Sequence, residues 1–310
     1  MRMANPSSKP LNFYSVNKVK VILLGKDGQL GQELQHSRPP EVDLLSYGRT
    51  ELDICDRKSV EDVLANELPA VVINAAAYTQ VDRAEQETAN ATMVNADAPL
   101  NLAQACSKYQ CKLIHVSTDF VFDGRQSKPY QTDSETNPLS VYGKTKLQGE
   151  KYIQSVKGLN YCIIRTSWVY SAYKANFVKT MLKLMSEKDQ LTIVADQIGS
   201  PTWAAGLARF IWNSIHEPNL TNITHWTDAG IASWYDFAIA IQELALEKDM
   251  LEKQIPILPI SSDEYPTAAN RPAYSVLGRP QSEKNNRVHW RKQLSAMLDE
   301  LKTITHNSHA

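Results

Sequence analysis

Val19-Lys20-Val21-Ile22-Leu23-Leu24-Gly25-Lys26-Asp27-Gly28-Gln29-Leu30-Gly31 is the stretch that decides the fold. Its first six residues form an apolar run of strand length. Three glycines follow at three-residue spacing, and Gln32-Glu33-Leu34-Gln35 reads as the start of a helix. Strand, glycine loop and helix, in that order, are the setting of a dinucleotide site. Glycine permits the tight turn and lets the backbone approach a pyrophosphate, whose charge the helix N-terminus favours. Gly25, Gly28 and Gly31 are therefore candidate cofactor residues, spaced Gly-x-x-Gly-x-x-Gly rather than Gly-x-Gly-x-x-Gly.

Working outward, Val42-Asp43-Leu44-Leu45 is a second strand. An acid at its end would bind a ribose 2′-hydroxyl, but Ser46-Tyr47-Gly48-Arg49 carries none. Arg49 suits a 2′-phosphate instead, so NADPH is expected, with NADH the alternative. Leu52-Asp53-Ile54 is placed beside the adenine, ahead of a helix over about 57–67. Ala70-Val71-Val72-Ile73-Asn74 is apolar throughout, as in a strand covered on both faces. It ends in Ala75-Ala76-Ala77, which reads either as a thin floor for a flat ligand or as close packing of a helix on the sheet. A helix over about 91–109, including Asn95, precedes the strand Lys112-Leu113-Ile114-His115-Val116-Ser117 and the segment Thr118-Asp119-Phe120.

Strands alternating with helices predict an α/β, Rossmann-like doubly wound parallel sheet with ligands at the strands' carboxyl ends. After the strand Tyr161-Cys162-Ile163-Ile164 the alternation weakens. Expected next are a helix over about 176–186, the strand Leu191–Val194, the strand Ile223-Thr224-His225-Trp226 and a helix over about 234–246, followed by proline-punctuated segments. The expected organisation is a flexible leader over 1–17, an NAD(P)-binding domain over 18–167, and a smaller α+β substrate domain over 168–310, partly interleaved with it.

Val141-Tyr142-Gly143-Lys144-Thr145-Lys146 carries the candidate chemistry. On a helix, Tyr142 and Lys146 project from one face, one turn apart. A phenol normally keeps its proton up to about pH 10. An ammonium one turn away stabilises the phenolate, so the expectation is a lowered Tyr142 pKa and proton exchange with a substrate oxygen.

Composition narrows the classes. Hydrophobic residues make up 43% and charged residues 22% of the 310 residues, an ordinary globular balance. Lys plus Arg number 33 against 34 Asp plus Glu, which gives no electrostatic reason to expect a nucleic acid polymer or an anionic membrane as partner. Four cysteines without a Cys-x-x-Cys pair fit reduced thiols rather than a disulfide framework or zinc site. No apolar run approaches the ~18 residues of a membrane span, and residues 1–17 lack the apolar core of a secretion signal.

Together these motifs resemble the extended short-chain dehydrogenase/reductases, and within them the dTDP-4-dehydrorhamnose reductase family. The resemblance runs from about Val19 to Trp290. It rests on Gly25-x-x-Gly28-x-x-Gly31, Asn74-Ala75-Ala76-Ala77, Ser117-Thr118-Asp119, Tyr142-x-x-x-Lys146, Arg165-Thr166-Ser167-Trp168-Val169-Tyr170 and Asp196-Gln197-x-Gly199-Ser200-Pro201-Thr202. It implies NAD(P)H-dependent reduction of the C4 carbonyl of dTDP-4-dehydro-L-rhamnose in the cytoplasm, by a monomer or homodimer. Thr118, Tyr142 and Lys146 would be the catalytic trio. Gly28-Gln29-Leu30 would hold the pyrophosphate, Asp53-Ile54 the adenine, and Ala75-Ala76-Ala77 the ribose and nearby phosphate. Val81, Thr118, Asp119 and Trp168 would line the sugar site. Arg271 would reach the substrate diphosphate or else form an ordinary surface ion pair.

Two departures stand out. Phe120 replaces a tyrosine common in relatives, so a hydroxyl contact is lost there. Some relatives bind a metal through an acid at the position of Glu33; the other ligands are not recognisable, so Glu33 is expected to be an exposed helical residue with no metal. Alternatives on the same residues are a nucleotide-sugar epimerase or dehydratase that returns its hydride, and a non-catalytic regulatory subunit like that of methionine adenosyltransferase.

Overall fold

The computed structural model describes residues 18–217, 222–278 and 287–307; the leader expected over 1–17 lies outside them. Strands β1 (Val19–Leu24), β2 (Val42–Tyr47), β3 (Val71–Asn74), β4 (Lys112–Thr118) and β5 (Tyr161–Thr166) alternate with helices α1 (Gln29–His36), α2 (Arg57–Glu67), α3 (Val81–Ala84), α4 (Thr88–Thr92), α5 (Ala98–Lys108) and α6 (Val141–Ser155). Beyond them come β6 (Val169–Tyr170), α7 (Phe177–Glu187), β7 (Leu191–Val194), β8 (Ile198–Gly199), β9 (Thr202–Trp203), α8 (Ala204–Ser214), β10 (Ile223–His225), β11 (Ala232–Ser233), α9 (Trp234–Glu247), β12 (Ile257–Ile260) and α10 (Trp290–Asn307).

The main sheet runs β2-β1-β3-β4-β5-β10, every neighbouring pair parallel. Strand order reverses between β1 and β3, the switch point at which such sheets bind ligands. The apolar runs are explained by burial on both faces. Val21 and Leu23 point to α1 and α8, where they meet Leu30, Leu34, Leu207 and Ile211. Ile22 and Leu24 point the other way, to Val60 and Leu64 of α2 and Leu102 of α5. A separate core gathers Met181 and Met185 of α7, Phe237 and Ile241 of α9, and Leu294 and Met297 of α10. The chain crosses between these regions, because α8 and β10 come late in the sequence yet pack on the main sheet.

Two local expectations change. The helix expected over about 91–109 is broken by a π-helical turn, Met93–Asp97, between α4 and α5. Glu33 is not an exposed glutamate but is 3% exposed. Ser171 Oγ donates to its Oε1 at 2.7 Å and Trp203 Nε1 at 3.2 Å. These partners lie 138 and 170 residues away in sequence, and α1 packing on α8 brings the second one in. Burial raises the Glu33 pKa, partly offset by the Ser171 hydrogen bond.

Asp228 is buried where α8 meets α10: Trp203 N–H donates to Oδ2 at 2.8 Å, and Gln293 Nε2 to Oδ1 at 3.2 Å. Burial pushes its carboxyl up to about 7. A carboxyl whose pKa is higher folded than unfolded contributes stability below its unfolded value and loses it as pH rises through the folded one. Stability should therefore fall between about pH 4 and 7 on account of this group, by at most about 1.4 kcal/mol per pH unit. Asp228→Asn should flatten that slope and raise the unfolding midpoint above pH 7, as thermal melts across pH would measure. An unchanged slope would remove Asp228 from the explanation.

Candidate active site

A cleft of about 700 Å³ opens at the carboxyl ends of the main-sheet strands, lined in part by Gly25, Gly28, Gln29, Ala75–Ala77, Thr118, Tyr142, Lys146 and Trp168. Its floor is built by close backbone approach. Gly25 sits at φ +86°, and a Cβ there would fall 2.7 Å from Ala76 N. A Cβ on Gly31 would fall 2.2 Å from Gly25 O, so only glycine lets α1 start this close to the turn. Gly28 caps α1 without a side-chain hydrogen bond, and Gln29 Oε1 is buried without a hydrogen-bond partner among the described residues. This cradle fits a dinucleotide pyrophosphate, which accepts from helix N–H groups and needs the space that side chains would fill.

The adjoining wall carries Leu52, Asp53 and Ile54, with Arg49 at its rim. Asp53 Oδ1 accepts from Cys55 N–H at 3.0 Å, and its Oδ2 lies 4.0 Å from Arg49 Nε, whose side chain is 80% exposed. The alanine loop is held at both ends by asparagines. Asn74 Oδ1 accepts from Ala76 N–H at 3.1 Å, and Asn95 Oδ1 from Tyr78 N–H at 2.8 Å. Asn95 reaches that loop from the π-helical turn, and Gly149 of α6 packs directly on its carbonyl.

Thr118 ends β4, Asp119 opens the short turn after it, and Tyr142 stands in the first turn of α6. Ser140 caps α6 by accepting from Gly143 N–H at 3.1 Å. Gly143 in turn admits the carbonyl of Phe120, which a Cβ would meet at 2.3 Å. Phe120 meets the Tyr142 ring edge-on, with centroids 5.6 Å apart. Thr118 Oγ1 donates to Asp119 Oδ1 at 3.0 Å. Burial pushes the Asp119 carboxyl up to about 6, against hydrogen bonds from Ser275 and Thr118.

The expected lowering of the Tyr142 phenol by Lys146 is not met in this arrangement. Burial pushes the phenol up to about 12, opposed by the Thr118 hydroxyl and reinforced by the Asp119 charge. Lys146, 1% exposed, turns its Nζ elsewhere: it donates to Val116 O at 2.7 Å and lies 3.2 Å from His115 Nε2. Burial drives the lysine down to about 8, offset in part by Glu150.

Trp168, also in the cleft lining, adopts φ +47°, a strained value for a bulky residue. Its indole stacks on Trp234, centroids 3.6 Å apart and 5° from parallel, and covers Gly199, where a Cβ would lie 2.5 Å from the ring. Trp234 also lines the cleft and was not among the sequence candidates; its place at the start of α9, behind the Ser233 capping box, was the only signal. Val81 and Arg271 reach the cleft as well. Arg271 is forked onto Asp82, Nη1 to Oδ1 at 3.0 Å and Nη2 to Oδ2 at 2.6 Å, the ion pair that was its alternative reading. Among the described residues no group of three or more His, Cys, Asp or Glu side chains gathers as a metal site, and no helix is long and apolar enough to cross a membrane.

The profile of the RmlD substrate binding domain matches residues 19–303. The dTDP-4-dehydrorhamnose reductase of Sinorhizobium fredii is 39% identical over 265 residues, 84% of this chain and 88% of that one. The Escherichia coli K12 enzyme of the same name is 34% identical over 302 residues, 93% and 99% of the two chains. The crystal structure of dTDP-4-dehydrorhamnose reductase from Bacillus anthracis in complex with NADP superimposes with a TM-score of 0.85 at 36% identity, covering 91% of this chain and 99% of that one. With the parallel sheet, the glycine cradle and a profile spanning nearly the whole chain in agreement, the chain belongs to the dTDP-4-dehydrorhamnose reductase family.

Proposed function

We propose that this chain reduces the C4 carbonyl of dTDP-4-dehydro-L-rhamnose to give dTDP-L-rhamnose, the last step in supplying that nucleotide sugar. The observation that carries the reading is the convergence of Thr118, Tyr142 and Lys146 in one cleft with the glycine cradle. Bound in that cradle, a reduced nicotinamide supplies the hydride. Gly28, Gln29 and Leu30 hold the pyrophosphate, Asp53 and Ile54 flank the adenine, and Ala75–Ala77 back the ribose. Tyr142 gives its proton to the C4 oxygen as that oxygen gains charge, and Thr118 orients the same oxygen by hydrogen bonding. Lys146 holds the ribose hydroxyls. Val81, Asp119 and Trp168 contact the sugar, and Trp234 supports Trp168 by stacking. Arg271 acts mainly through Asp82, positioning the cleft rim.

The test follows loss of reduced-nicotinamide absorbance when dTDP-4-dehydro-L-rhamnose is added, with NADPH and NADH in turn. Stoichiometric oxidation is expected; no oxidation by folded protein that binds cofactor would sink the assignment. In the same assay Arg49→Ala should weaken NADPH about tenfold, the worth of one charge-assisted hydrogen bond, and leave NADH unchanged. Equal losses for both would free Arg49 from the 2′-phosphate.

A further inference from the structure

We propose that His115 is a positioning residue, which through a buried hydrogen-bond chain from the alanine loop sets where the proton sits around Lys146. The consequence for turnover rests on the reductase reading above; the chain itself does not. The parallel register of β3 and β4 sets Asn74 directly opposite His115. Ala76 N–H donates to Asn74 Oδ1 at 3.1 Å, which fixes the orientation of that amide. Asn74 Nδ2 then faces His115 Nδ1 at 3.1 Å. An amide NH₂ only donates, so Nδ1 is the acceptor and the proton of the neutral imidazole sits on Nε2. That Nε2–H points at Lys146 Nζ, 3.2 Å away. Asn74, His115 and Lys146 are 0%, 1% and 1% exposed, so water does not reorganise the chain.

An N–H aimed at an amine favours the uncharged amine, because an ammonium would oppose donor to donor. Burial and the nearby Lys146 keep the imidazole itself well below its ordinary pKa range, so His115 does not take up the proton. Glu150, one turn further along α6, favours the ammonium instead, and it is itself paired with Arg165 of β5. Tyr142 lies one turn earlier on α6 and Asp119 directly follows β4, while β3 contributes the uncharged Asn74. Lys146 is thus balanced between a donor that favours the amine and two groups that favour the ammonium, the Glu150 carboxylate and the Val116 carbonyl, which accepts from Nζ at 2.7 Å. Its far end is tied to the Ala75–Ala77 loop that packs on Gly25, so cofactor contacts on that loop are relayed to the lysine.

The first test is independent of turnover: NMR of the full chain carrying nitrogen-labelled histidine, with the His115 signal assigned by its loss in His115→Asn. A neutral Nε2–H ring is expected at every pH where the protein stays folded. An Nδ1–H ring, or an imidazolium at neutral pH, would overturn the assignment. The second is the pH profile of kcat. Turnover should fall as Lys146 loses its proton, and His115→Gln, able to turn an amide oxygen to Nζ, should move that limb up by about one pH unit, the worth of one hydrogen bond. A uniform drop with the limb unmoved would reduce His115 to a packing role and overturn the proposal. If the NMR shows Nε2–H but no turnover exists, the reductase reading fails and the hydrogen-bond chain stands.

Discussion

Tyr142→Phe is expected to lower kcat by about 10²- to 10⁴-fold while leaving NADPH affinity essentially unchanged. The substitution removes one hydroxyl and keeps the ring, so the edge contact with Phe120 and the first turn of α6 survive. What goes is the proton donor. With its phenol pushed up to about 12, Tyr142 is fully protonated at neutral pH, as an acid in the reductive direction must be. The same burial makes the proton harder to release, so the loss depends on how far Thr118 stabilises the phenolate once the C4 oxygen draws the proton away. Steady-state rates with saturating NADPH, alongside cofactor titration by fluorescence quenching, separate the two effects. A kcat within a few-fold of wild type would take the proton-donor role from Tyr142. Loss of cofactor binding in step with turnover would assign the hydroxyl to binding instead.

The sheet was legible because double-sided burial writes an unbroken apolar run, and β1 begins and ends at the residues that run predicts. The glycine cradle was legible for a related reason: a turn with no room for Cβ leaves only one residue type. What the sequence hid depends on distant partners. Glu33 looks like any helical glutamate until Ser171 and Trp203 are folded over it. The π-helical turn that aims Asn95 inserts one residue into a helical period without altering composition. Asn74 and His115 meet only through strand register, and Trp168 gives no sign in its neighbours that it takes a left-handed backbone. The Tyr142 pKa is not legible from spacing on one helix, which says nothing of what else competes for the lysine.

Glu150→Ala is expected to destabilise the protein by about 3–5 kcal/mol, the usual cost of breaking a buried ion pair from one side. Arg165 Nη2 meets Glu150 Oε2 at 2.7 Å and its Nε meets Oε1 at 3.0 Å, with the two side chains 4% and 0% exposed. Ser117 Oγ adds a hydrogen bond to Oε1 at 2.5 Å, and Thr132 O accepts from Nη1 at 3.3 Å. Removing the carboxylate strands a guanidinium where water cannot reach it; Arg165→Ala strands the carboxylate in the same way. The double variant Glu150→Leu with Arg165→Met should lose less than the two single losses added together, because no charge is left uncompensated. Urea unfolding of the three variants measures this, and a single-variant loss below about 1 kcal/mol, the range of an exposed pair, would refute it. The pair, with the Ser117 hydrogen bond, also joins β4, β5 and α6, which carry Thr118, the start of the Arg165–Tyr170 motif and Tyr142. Its carboxylate is the charge that holds Lys146 up against burial. A Glu150 variant that still folds should therefore also lose turnover at lower pH than wild type, so stability and chemistry are coupled through one buried carboxylate.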